Sequence, residues 1–290
     1  MERLVMIIGG PSSQLLGGRI ASILKEDLAL CEYSSFPDGE AYTQVCSDLD
    51  GDIVVIQSTP SDRDIIQLLQ LLDVCRGRKI DLVIPYFGYA RQDKQFKPGE
   101  PLSARAMAVA VDAFLAEGSR IFTINIHDRS VLKSFRHQAT DLDATPLLAD
   151  EIKKMGLDDP VIISPDKGAV RMAKAAAERL GVPYDYLEKT RHSGTEVSMA
   201  PKEIDAAGRD VVILDDMIAT GGTMAQAISI LRASGAKRVY LGSVHPVLTG
   251  SAVLKLCRAG VESIIATDTL EKAVSTVSAA GLVAEAVRSR

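Results

Sequence analysis

The chain has 290 residues, 47% hydrophobic and 24% charged, which is the composition of a globular protein rather than of a disordered chain. Its 33 Lys and Arg against 38 Asp and Glu leave a net charge of −5, which excludes the general basic field that attracts nucleic acid or an anionic membrane. No apolar run reaches the ~18 residues of a membrane span, so we expect a cytoplasmic protein without a membrane partner.

Short β-rich apolar runs alternate with helical patterns along the whole chain, and this order predicts an α/β fold with mainly parallel sheets flanked by helices. The 290 residues are about twice the ~150-residue prior for one domain, so we expect two domains, 1–144 and 145–290. In the first domain the predicted strands are Leu4–Ile8, Ile53–Ile56, Leu82–Ile84 and Ile121–Ile126. Its helices are predicted to follow the capping residues Ser12 or Ser13, Asp62 and Ser103.

The second half of the chain continues the same alternation of strands and helices. Its predicted helices are Thr145–Met155, Val170–Leu180 and Met224–Leu231. Its predicted strands are Val161–Ile163, Tyr184–Leu187, Val211–Leu214 and Val239–Val244. The halves share this pattern but no identifiable sequence.

The strongest local signal is residues 211–223, where an apolar strand runs into two acids, a loop of small residues and a helix. Ligands of open α/β sheets bind at the carboxyl ends of strands, where glycine lets backbone amides approach a phosphate and a helix N-terminus adds positive partial charge. Thr220 and Thr223 add hydroxyl donors, and Asp215 and Asp216 suit ribose hydroxyls or a metal reached through water. The alternative is an ordinary strand–turn–helix with a solvated acid pair. Two acids, two glycines and two threonines within nine residues favour a phosphate-sugar site.

Two segments of the first half have the side chains of a nucleotide site. Residues 36–40, Phe-Pro-Asp-Gly-Glu, offer an aromatic face for a base and carboxylates that accept from an exocyclic amine, although Pro-Asp-Gly is also simply a good turn. Residues 91–94, Arg-Gln-Asp-Lys, offer cations for a polyphosphate, with a solvated polar loop as the alternative. The second segment closely follows a predicted strand, which favours the functional interpretation.

Three further positions follow predicted strands. His127 comes after Ile121–Ile126, where a ligand of the sheet would lie, although a lone histidine is more often structural. Asp166 lies in a turn after Val161–Ile163 and is equally suited to cap a helix. Lys189 and Arg191 lie in a polar segment typical of a mobile loop and, in an extended chain, face the same side, with a solvated hairpin as the alternative.

Together these five separated motifs resemble, in the right order, those of the ribose-phosphate pyrophosphokinase family, which has the phosphoribosyltransferase fold. Residues 211–223 are similar to the phosphoribosyl-diphosphate loop of that fold. Residues 36–40 and 91–94 resemble the ATP-contacting motifs of the family, which ordinary phosphoribosyltransferases lack. The resemblance covers the chain from about Met6 to the last predicted strand.

The resemblance implies two phosphoribosyltransferase-like domains and the transfer of the pyrophosphoryl group of Mg²⁺-bound ATP to ribose 5-phosphate. For ATP it implies Phe36, Asp38, Gly39, Glu40, Arg91, Gln92, Asp93 and Lys94. For ribose 5-phosphate it implies Arg191, Asp215, Asp216, Ala219, Thr220, Gly221, Gly222 and Thr223. It implies Lys189 and Arg191 as catalytic cations and His127 and Asp166 as contacts of magnesium.

The chain departs from the family pattern at three of these places. The usual Asp-Leu-His is Asn125-Ile126-His127 here, so the acid next to the metal-associated histidine is absent. Ala169 stands where many relatives have a second glycine of the pyrophosphate turn, and Ala219 stands where some have an aspartate.

Two other functions remain open at this point. A nucleobase phosphoribosyltransferase would have no reason to carry both ATP motifs. A non-catalytic regulatory relative would be expected to lose the loop cations or the acid pair, whereas all four residues are present. The resemblance also implies a homo-oligomer, a dimer or larger, and nothing in the sequence points to a nucleic-acid partner.

Overall fold

The computed structural model describes residues 5–191, 197–201 and 206–289, and of the residues 189–191 and 197–201 it describes the backbone only. The chain forms two compact units. The first extends to Asp143 and also includes Thr269–Glu271 and the segment from Ser278 on. The second comprises Ala144–Asp268 and Lys272–Val277.

The first unit contains a parallel sheet, a separate hairpin and helices on both faces. Its strands are β1 (Val5–Gly9), β2 (Asp27–Leu28), β3 (Cys31–Ser35), β4 (Ala41–Val45), β5 (Asp52–Ile56), β6 (Ile80–Ile84), β7 (Arg120–Ile124) and β8 (Gln138–Leu142). Its first helices are α1 (Gln14–Leu24), α2 (Asp62–Val74) and α3 (Ser103–Asp112), with a short 3-10 helix at Arg129–Ser134. The sheet order is β2-β1-β5-β6-β7-β8, every pair being parallel, and β3 pairs with β4 as an antiparallel hairpin.

The second unit has the same architecture with one antiparallel edge. Its strands are β9 (Val161–Ser164), β10 (Tyr184–Arg191), β11 (Val197–Pro201), β12 (Asp210–Met217), β13 (Arg238–His245) and β14 (Ile264–Ala266). Its helices are α4 (Thr145–Lys154), α5 (Val170–Leu180), α6 (Gly222–Ala233) and α7 (Ala252–Ala259). The order is β11-β10-β9-β12-β13-β14, and only the β10–β11 pair of this sheet is antiparallel among the described strands.

The central strands are hydrophobic without alternation because helices cover both faces of each sheet. Every residue of β5 and β6 is buried, as are the first five residues of β12. Continuous Val, Ile and Leu runs are the usual composition of strands buried on both sides. The predicted α/β class, with mainly parallel sheets flanked by helices, is therefore confirmed.

Several predicted boundaries need correction. The cap of α2 is Ser61 rather than Asp62, because the Ser61 side chain accepts from the Asp64 amide and the Asp64 side chain accepts from the Ser61 amide, which completes a capping box. Ser103 is the first helical residue of α3 rather than its cap. The strand β7 ends at Ile124, two residues early, since Asn125 has a left-handed backbone with φ of 40°.

The end of the chain returns to the first unit, whereas the predicted second domain ran to residue 290. Helix α8 (Ala280–Arg288) packs on α1, and the Arg288 guanidinium donates to the Ile23 carbonyl at 2.8 Å. The Ser58 hydroxyl donates to the Thr269 carbonyl at 2.6 Å. These contacts join residues more than 200 positions apart, and the local alternation of strand and helix patterns carries no information about such distant pairs. None of the described helices is long and apolar enough to cross a membrane.

The same ion pair joins two neighbouring parallel strands in each sheet. Arg120 on β7 binds Asp81 on β6 through two bonds of 2.9 and 2.8 Å, and the two residues face each other in the strand register. Arg238 on β13 binds Asp210 on β12 in the same way, again in register. Both carboxylates have no exposed surface. An aromatic ring two residues along lies under each guanidinium, at 5.0 Å for Phe122 and 5.8 Å for Tyr240.

Removal of the Arg120 side chain should destabilise the first unit strongly. Arg120→Ala removes two guanidinium bonds from the buried Asp81 carboxylate and also removes donors to the Val287 and Ser289 carbonyls at the end of α8. A cost of about 3 kcal/mol in the free energy of unfolding is expected from denaturant titration. The control is Arg179→Ala, whose partner Asp150 is half exposed and whose loss should leave the unfolding midpoint nearly unchanged. Equal midpoints for the two variants would contradict the assigned role.

Candidate active site

The acid pair lies at the carboxyl end of β12, where the strand leaves the core. Asp215 and Asp216 are half-buried, whereas the preceding residues of the strand are buried. The carboxylate of Asp215 accepts from the Asp216 amide at 2.9 Å. Both acids therefore stand where the chain turns from the sheet toward α6.

The loop after the acid pair ends in an uncapped helix N-terminus. Gly221 has φ of 74° and precedes α6, for which no side chain caps the first amides. A Cβ at Gly221 would lie 3.2 Å from the carbonyl oxygen of Ala252, so both the backbone angle and the space favour glycine. Thr220, Gly222 and Thr223 are exposed at this end. Free amides, hydroxyl groups and the helix dipole together suit a phosphate.

Asp166 organises the turn after β9. Its carboxylate accepts from the Gly168 amide at 2.8 Å, and the Ser164 hydroxyl donates to its carbonyl. The helix that follows begins at Val170 with Ala169 at the cap position and no side-chain cap. Asp166 therefore braces its own turn and does not cap α5.

Three carboxylates of the second unit repel one another. The pKa of Asp215 is raised to about 8, mainly because the carboxyl group is buried. The charge of Asp216, its side-chain hydrogen bond with Asp215 and the charge of Asp166 raise this pKa further. A hard divalent cation prefers oxygen ligands, and a cluster of neighbouring carboxylates provides them together with negative charge. No three His, Cys, Asp or Glu side chains of the described residues gather as a complete metal site. This donor set fits Mg²⁺, which keeps water ligands and needs only one or two carboxylates when a phosphate supplies further oxygens.

Lys189 and Arg191, the candidate catalytic cations, lie in strand β10, and only their backbone is described. Strand β10 continues to Arg191, four residues beyond its predicted end, and Lys189 and Arg191 pair in register with Met199 and Val197 of β11. The structure thus has an antiparallel ribbon where the sequence predicts a loop from Glu188. The side chains of Lys189 and Arg191, and residues 192–194 of the predicted loop, lie outside the described part.

Residues 36–40 form the tip of the β3–β4 hairpin. The Phe36 amide donates to the Glu40 carbonyl and the Gly39 amide to the Phe36 carbonyl, both at 2.9 Å, and Gly39 has φ of 97°. The Asp38 carboxylate accepts from the Glu40 amide at 3.2 Å. Phe36 is 49% exposed and contacts Tyr42 edge to face. The segment is therefore a turn, as its composition alone indicates, and it also presents an aromatic face to solvent.

Helix α2 holds this hairpin in place. The Arg63 guanidinium donates to the Ser34 carbonyl and the Ser35 hydroxyl, both at 2.7 Å. The Gln70 amide donates to the Ala41 carbonyl at 2.8 Å. A fixed hairpin tip makes Phe36 a preorganised surface rather than a freely moving one.

The loop 85–102 contains the Arg-Gln-Asp-Lys motif and leaves both of its cations, Arg91 and Lys94, exposed. Arg91 is exposed, and among the described residues it makes no ion pair or hydrogen bond. Gln92 has a structural part instead, because its side-chain oxygen accepts from the Ser103 hydroxyl and its carbonyl accepts from the Ala104 amide at 3.3 Å. Its amide NH₂ group is the part still suited to a ligand.

The structure brings the second ATP motif together with the segment that contains His127. The side chain of Asp93 lies beside that of Asp128, whose carboxylate accepts from the Ser130 amide at 2.7 Å. The bonds from Ser130 lower the pKa of Asp128, and the charge of Lys94 adds to this effect. His127 itself is exposed beside them.

A buried carboxylate that the sequence analysis did not single out holds the His127 segment. Asp141 on β8 accepts from the Thr123 hydroxyl at 2.8 Å, the Ile126 amide at 2.9 Å and the Arg129 guanidinium at 3.0 Å. Only 3% of its side chain is exposed. Asp141 lies in a short, mixed polar strand, so no pattern in the sequence distinguishes it from a solvated acid.

Asn125, which stands where the family has an aspartate, makes two hydrogen bonds to the end of β8. The Asn125 side-chain amide donates to the Asp143 carboxylate at 2.9 Å, and the Asn125 backbone amide donates to the Leu142 carbonyl at the same distance. An aspartate at 125 would face the Asp143 carboxylate instead. Asn125 therefore ties the end of β7 to the end of β8.

Comparisons with known proteins agree with this arrangement. A model of the N-terminal domain of ribose phosphate pyrophosphokinase matches residues 5–114, and a model of the phosphoribosyl transferase domain matches residues 135–274. A ribose-phosphate pyrophosphokinase of Methanosarcina acetivorans is 52% identical over 284 residues, which are 97% of this chain and 99% of the relative. The chain belongs to the ribose-phosphate pyrophosphokinase family.

Other relatives cover the chain as completely. A ribose-phosphate pyrophosphokinase of Methanothermobacter thermautotrophicus is 42% identical over 98% of this chain and 100% of its own. The crystal structure of phosphoribosylpyrophosphate synthetase from Mycobacterium smegmatis is 28% identical, covers 99% of this chain and 98% of that one, and has a TM-score of 0.85. The expected two phosphoribosyltransferase-like domains and the expected class, a transferase of nucleotide biosynthesis, are confirmed.

The raised pKa of Asp215 predicts how the stability of the ligand-free protein depends on pH. An unfolded aspartate has a pKa of about 3.9, so between about pH 4 and 8 the folded protein holds a proton that the unfolded chain has released. The contribution of Asp215 to stability therefore falls as the pH rises through this window. Asp215→Asn should be more stable than the unsubstituted protein at about pH 8.5 and nearly equal to it at about pH 4.5.

Chemical denaturation in metal-free buffer at both pH values measures this difference. The matched control is Asp150→Asn, because a guanidinium hydrogen bond from Arg179 lowers the pKa of Asp150. That substitution should not stabilise the protein at the higher pH. Parallel pH curves for Asp215→Asn and the unsubstituted protein would contradict the prediction.

Proposed function

We propose that this protein transfers the pyrophosphoryl group of ATP to the anomeric hydroxyl of ribose 5-phosphate and yields 5-phosphoribosyl 1-diphosphate and AMP. The observation that carries the proposal is the acid pair at the end of β12, followed by the uncapped, glycine-rich start of α6. The match of residues 5–114 to the N-terminal domain of ribose phosphate pyrophosphokinase supports a use of ATP.

The second unit supplies the groups for the sugar phosphate. The amides and hydroxyls of 220–223 would bind the 5-phosphate, as free amides at a helix N-terminus suit an anion. Asp215 and Asp216 would accept from the ribose hydroxyls. Ala219 offers only its backbone to the ligand, and its carbonyl already accepts from the Thr249 amide at 3.0 Å. A phosphate with a sugar directly next to it is the ligand that this order of groups fits.

The first unit supplies the groups for ATP. Phe36 would stack on the adenine, and Asp38 and Glu40 would accept from its amino group. Arg91 and Lys94 are exposed cations for the phosphates, and the free NH₂ group of Gln92 adds a donor. Gly39, with φ of 97°, shapes the turn, whereas Asp93 contacts Asp128 and thereby orients the loop.

The transfer needs positioning and charge stabilisation and no covalent intermediate. The anomeric hydroxyl attacks the β-phosphorus and releases its proton to solvent, the bond from the β-phosphorus to the oxygen of the α-phosphate breaks, and AMP leaves with that oxygen. Lys189 and Arg191 would stabilise the charge that develops around the β-phosphate and the leaving oxygen. Magnesium, when bound, would supply further neutralisation of the phosphates, with His127 assigned to the ATP-bound ion and Asp166 to a second ion.

The direct test is incubation of the full chain with ribose 5-phosphate, ATP and Mg²⁺, followed by phosphorus NMR. AMP and 5-phosphoribosyl 1-diphosphate should appear in equal amounts. ADP in place of AMP, or a reaction only when a nucleobase is added, would overturn the proposal in favour of a simple kinase or a phosphoribosyltransferase. Binding of ATP without any turnover would favour the regulatory relative.

Replacement of Lys189 separates a transition-state role from a binding role. Lys189→Ala should lower kcat by about 10²–10³-fold and change ATP affinity by less than about twofold, because the charge it meets develops only during transfer. Lys174→Ala, on the exposed face of α5 beside Glu178, is the control and should retain full turnover. Equal losses of kcat and ATP affinity in Lys189→Ala would assign the lysine to ground-state binding instead.

A further inference from the structure

We propose that Tyr89 and Asp62 form a clasp that positions the ATP-binding loop, so that both are positioning residues for the transfer. The inference rests on the proposed function only in taking ATP as the ligand of Arg91 and Gln92. The Tyr89 hydroxyl donates to the Asp62 carboxylate at 2.6 Å, and Asp62 is the first residue of α2. The clasp therefore ties a loop after β6 to a helix that follows a different strand.

The backbone at Tyr89 is held in a conformation that tyrosine does not prefer. Its φ is 64°, in the left-handed region, which is uncommon for residues other than glycine and especially for bulky ones. Such conformations persist only where the surroundings overdetermine them, and they cluster at functional sites. The phenol–carboxylate bond is the contact that retains the side chain in this position while 45% of Tyr89 remains exposed.

The residue before the clasp leaves the loop no room to move toward β5. The Gly88 amide donates to the Thr59 hydroxyl at 2.8 Å, and a Cβ at Gly88 would lie 2.1 Å from the Thr59 carbonyl oxygen. The Thr59 amide in turn donates to the Tyr86 carbonyl at 2.9 Å. The backbone is thus fixed directly in front of Tyr89.

The residues after the clasp connect it to the ATP motif. The Gln92 amide donates to the Tyr89 carbonyl at 3.1 Å, and the Gln92 carbonyl accepts from the Ala104 amide at 3.3 Å in the first turn of α3. Arg91 lies within this short span, between a point fixed on α2 and a point fixed on α3. The Arg91 guanidinium is exposed and has no partner among the described residues. The backbone between these two fixed points therefore sets the direction in which it points.

A clasp of this kind has a distinct kinetic signature. Tyr89→Phe keeps the ring and removes only the hydroxyl, so the loop should lose its fixed direction without loss of the core. The KM for ATP and the Kd for ATP should rise about three- to tenfold, and the KM for ribose 5-phosphate should stay within about twofold. Asp62→Ala should show the same pattern, and the two changes together should have little more effect than either alone.

Two further variants keep the test independent of folding. Asp62→Asn retains an oxygen that accepts from the phenol and should restore most of the ATP affinity. Tyr184→Phe is the matched control, because Tyr184 is 37% exposed at the start of β10 and its hydroxyl has no hydrogen-bond partner among the described residues. Thermal melting of each variant checks that the unfolding temperature stays close to that of the unsubstituted protein.

The outcomes separate this inference from the proposed function. The inference is overturned if Tyr89→Phe and Asp62→Ala bind ATP like the unsubstituted protein, if both KM values rise together with a fall in melting temperature, or if Asp62→Asn is no better than Asp62→Ala. Calorimetric measurement of the ATP Kd without ribose 5-phosphate tests the clasp even if no transfer occurs. Absence of AMP formation by the unsubstituted protein that still binds ATP would refute the proposed function and leave the clasp to be judged on affinity. No measurable binding of ATP by the unsubstituted protein would overturn both.

Discussion

A buried ion pair between neighbouring parallel strands is the interaction on which both units depend. Asp81 and Asp210 carry charges at fully buried positions, which is costly unless a well-placed cation compensates them. A guanidinium with two bonds to the carboxylate does so and permits only one geometry. Because the partners face each other in register, a shift of one strand by one residue would turn the acid to the other face of the sheet.

The ion pairs lie near the amino ends of these strands, and the strand alignment that they fix also sets which side chains lie at the carboxyl ends. In the first unit, β6 and β7 lead into the loop with Arg91 and the segment with His127, and Asp93 meets Asp128 between them. In the second unit, β12 leads from the buried ion pair to the acid pair, where burial and the neighbouring charge of Asp216 raise the pKa of Asp215. The ion pairs stabilise the amino edge of each sheet, while the candidate ligand-binding groups lie at the opposite edge. Stability and function are thus separated along the length of the same strands.

Local order in the sequence was sufficient for some parts of the site and not for others. Residues 211–223 were recognisable because the strand, acids, glycines and helix follow one another directly, and the structure retains that order. The β3–β4 hairpin was not predicted because its strands are half exposed and mixed in composition, so only its Pro-Asp-Gly turn was visible. Asp141 and Tyr89 were missed because their partners lie on other elements, and an acid in a polar strand or a tyrosine in a loop has no distinctive neighbours.

The sequence by itself determined the α/β class, the positions of most buried strands and the residue types of the candidate site, because hydrophobic period and neighbouring side chains are local properties. The tertiary structure alone decided that the end of the chain returns to the first unit and that Arg120, on a strand of that unit, meets the last turn of α8. It also decided that Asp81 is buried beside a guanidinium, whereas Asp215 is buried beside another carboxylate. Burial and Coulomb interaction depend on distance in space, which residues far apart in sequence do not reveal.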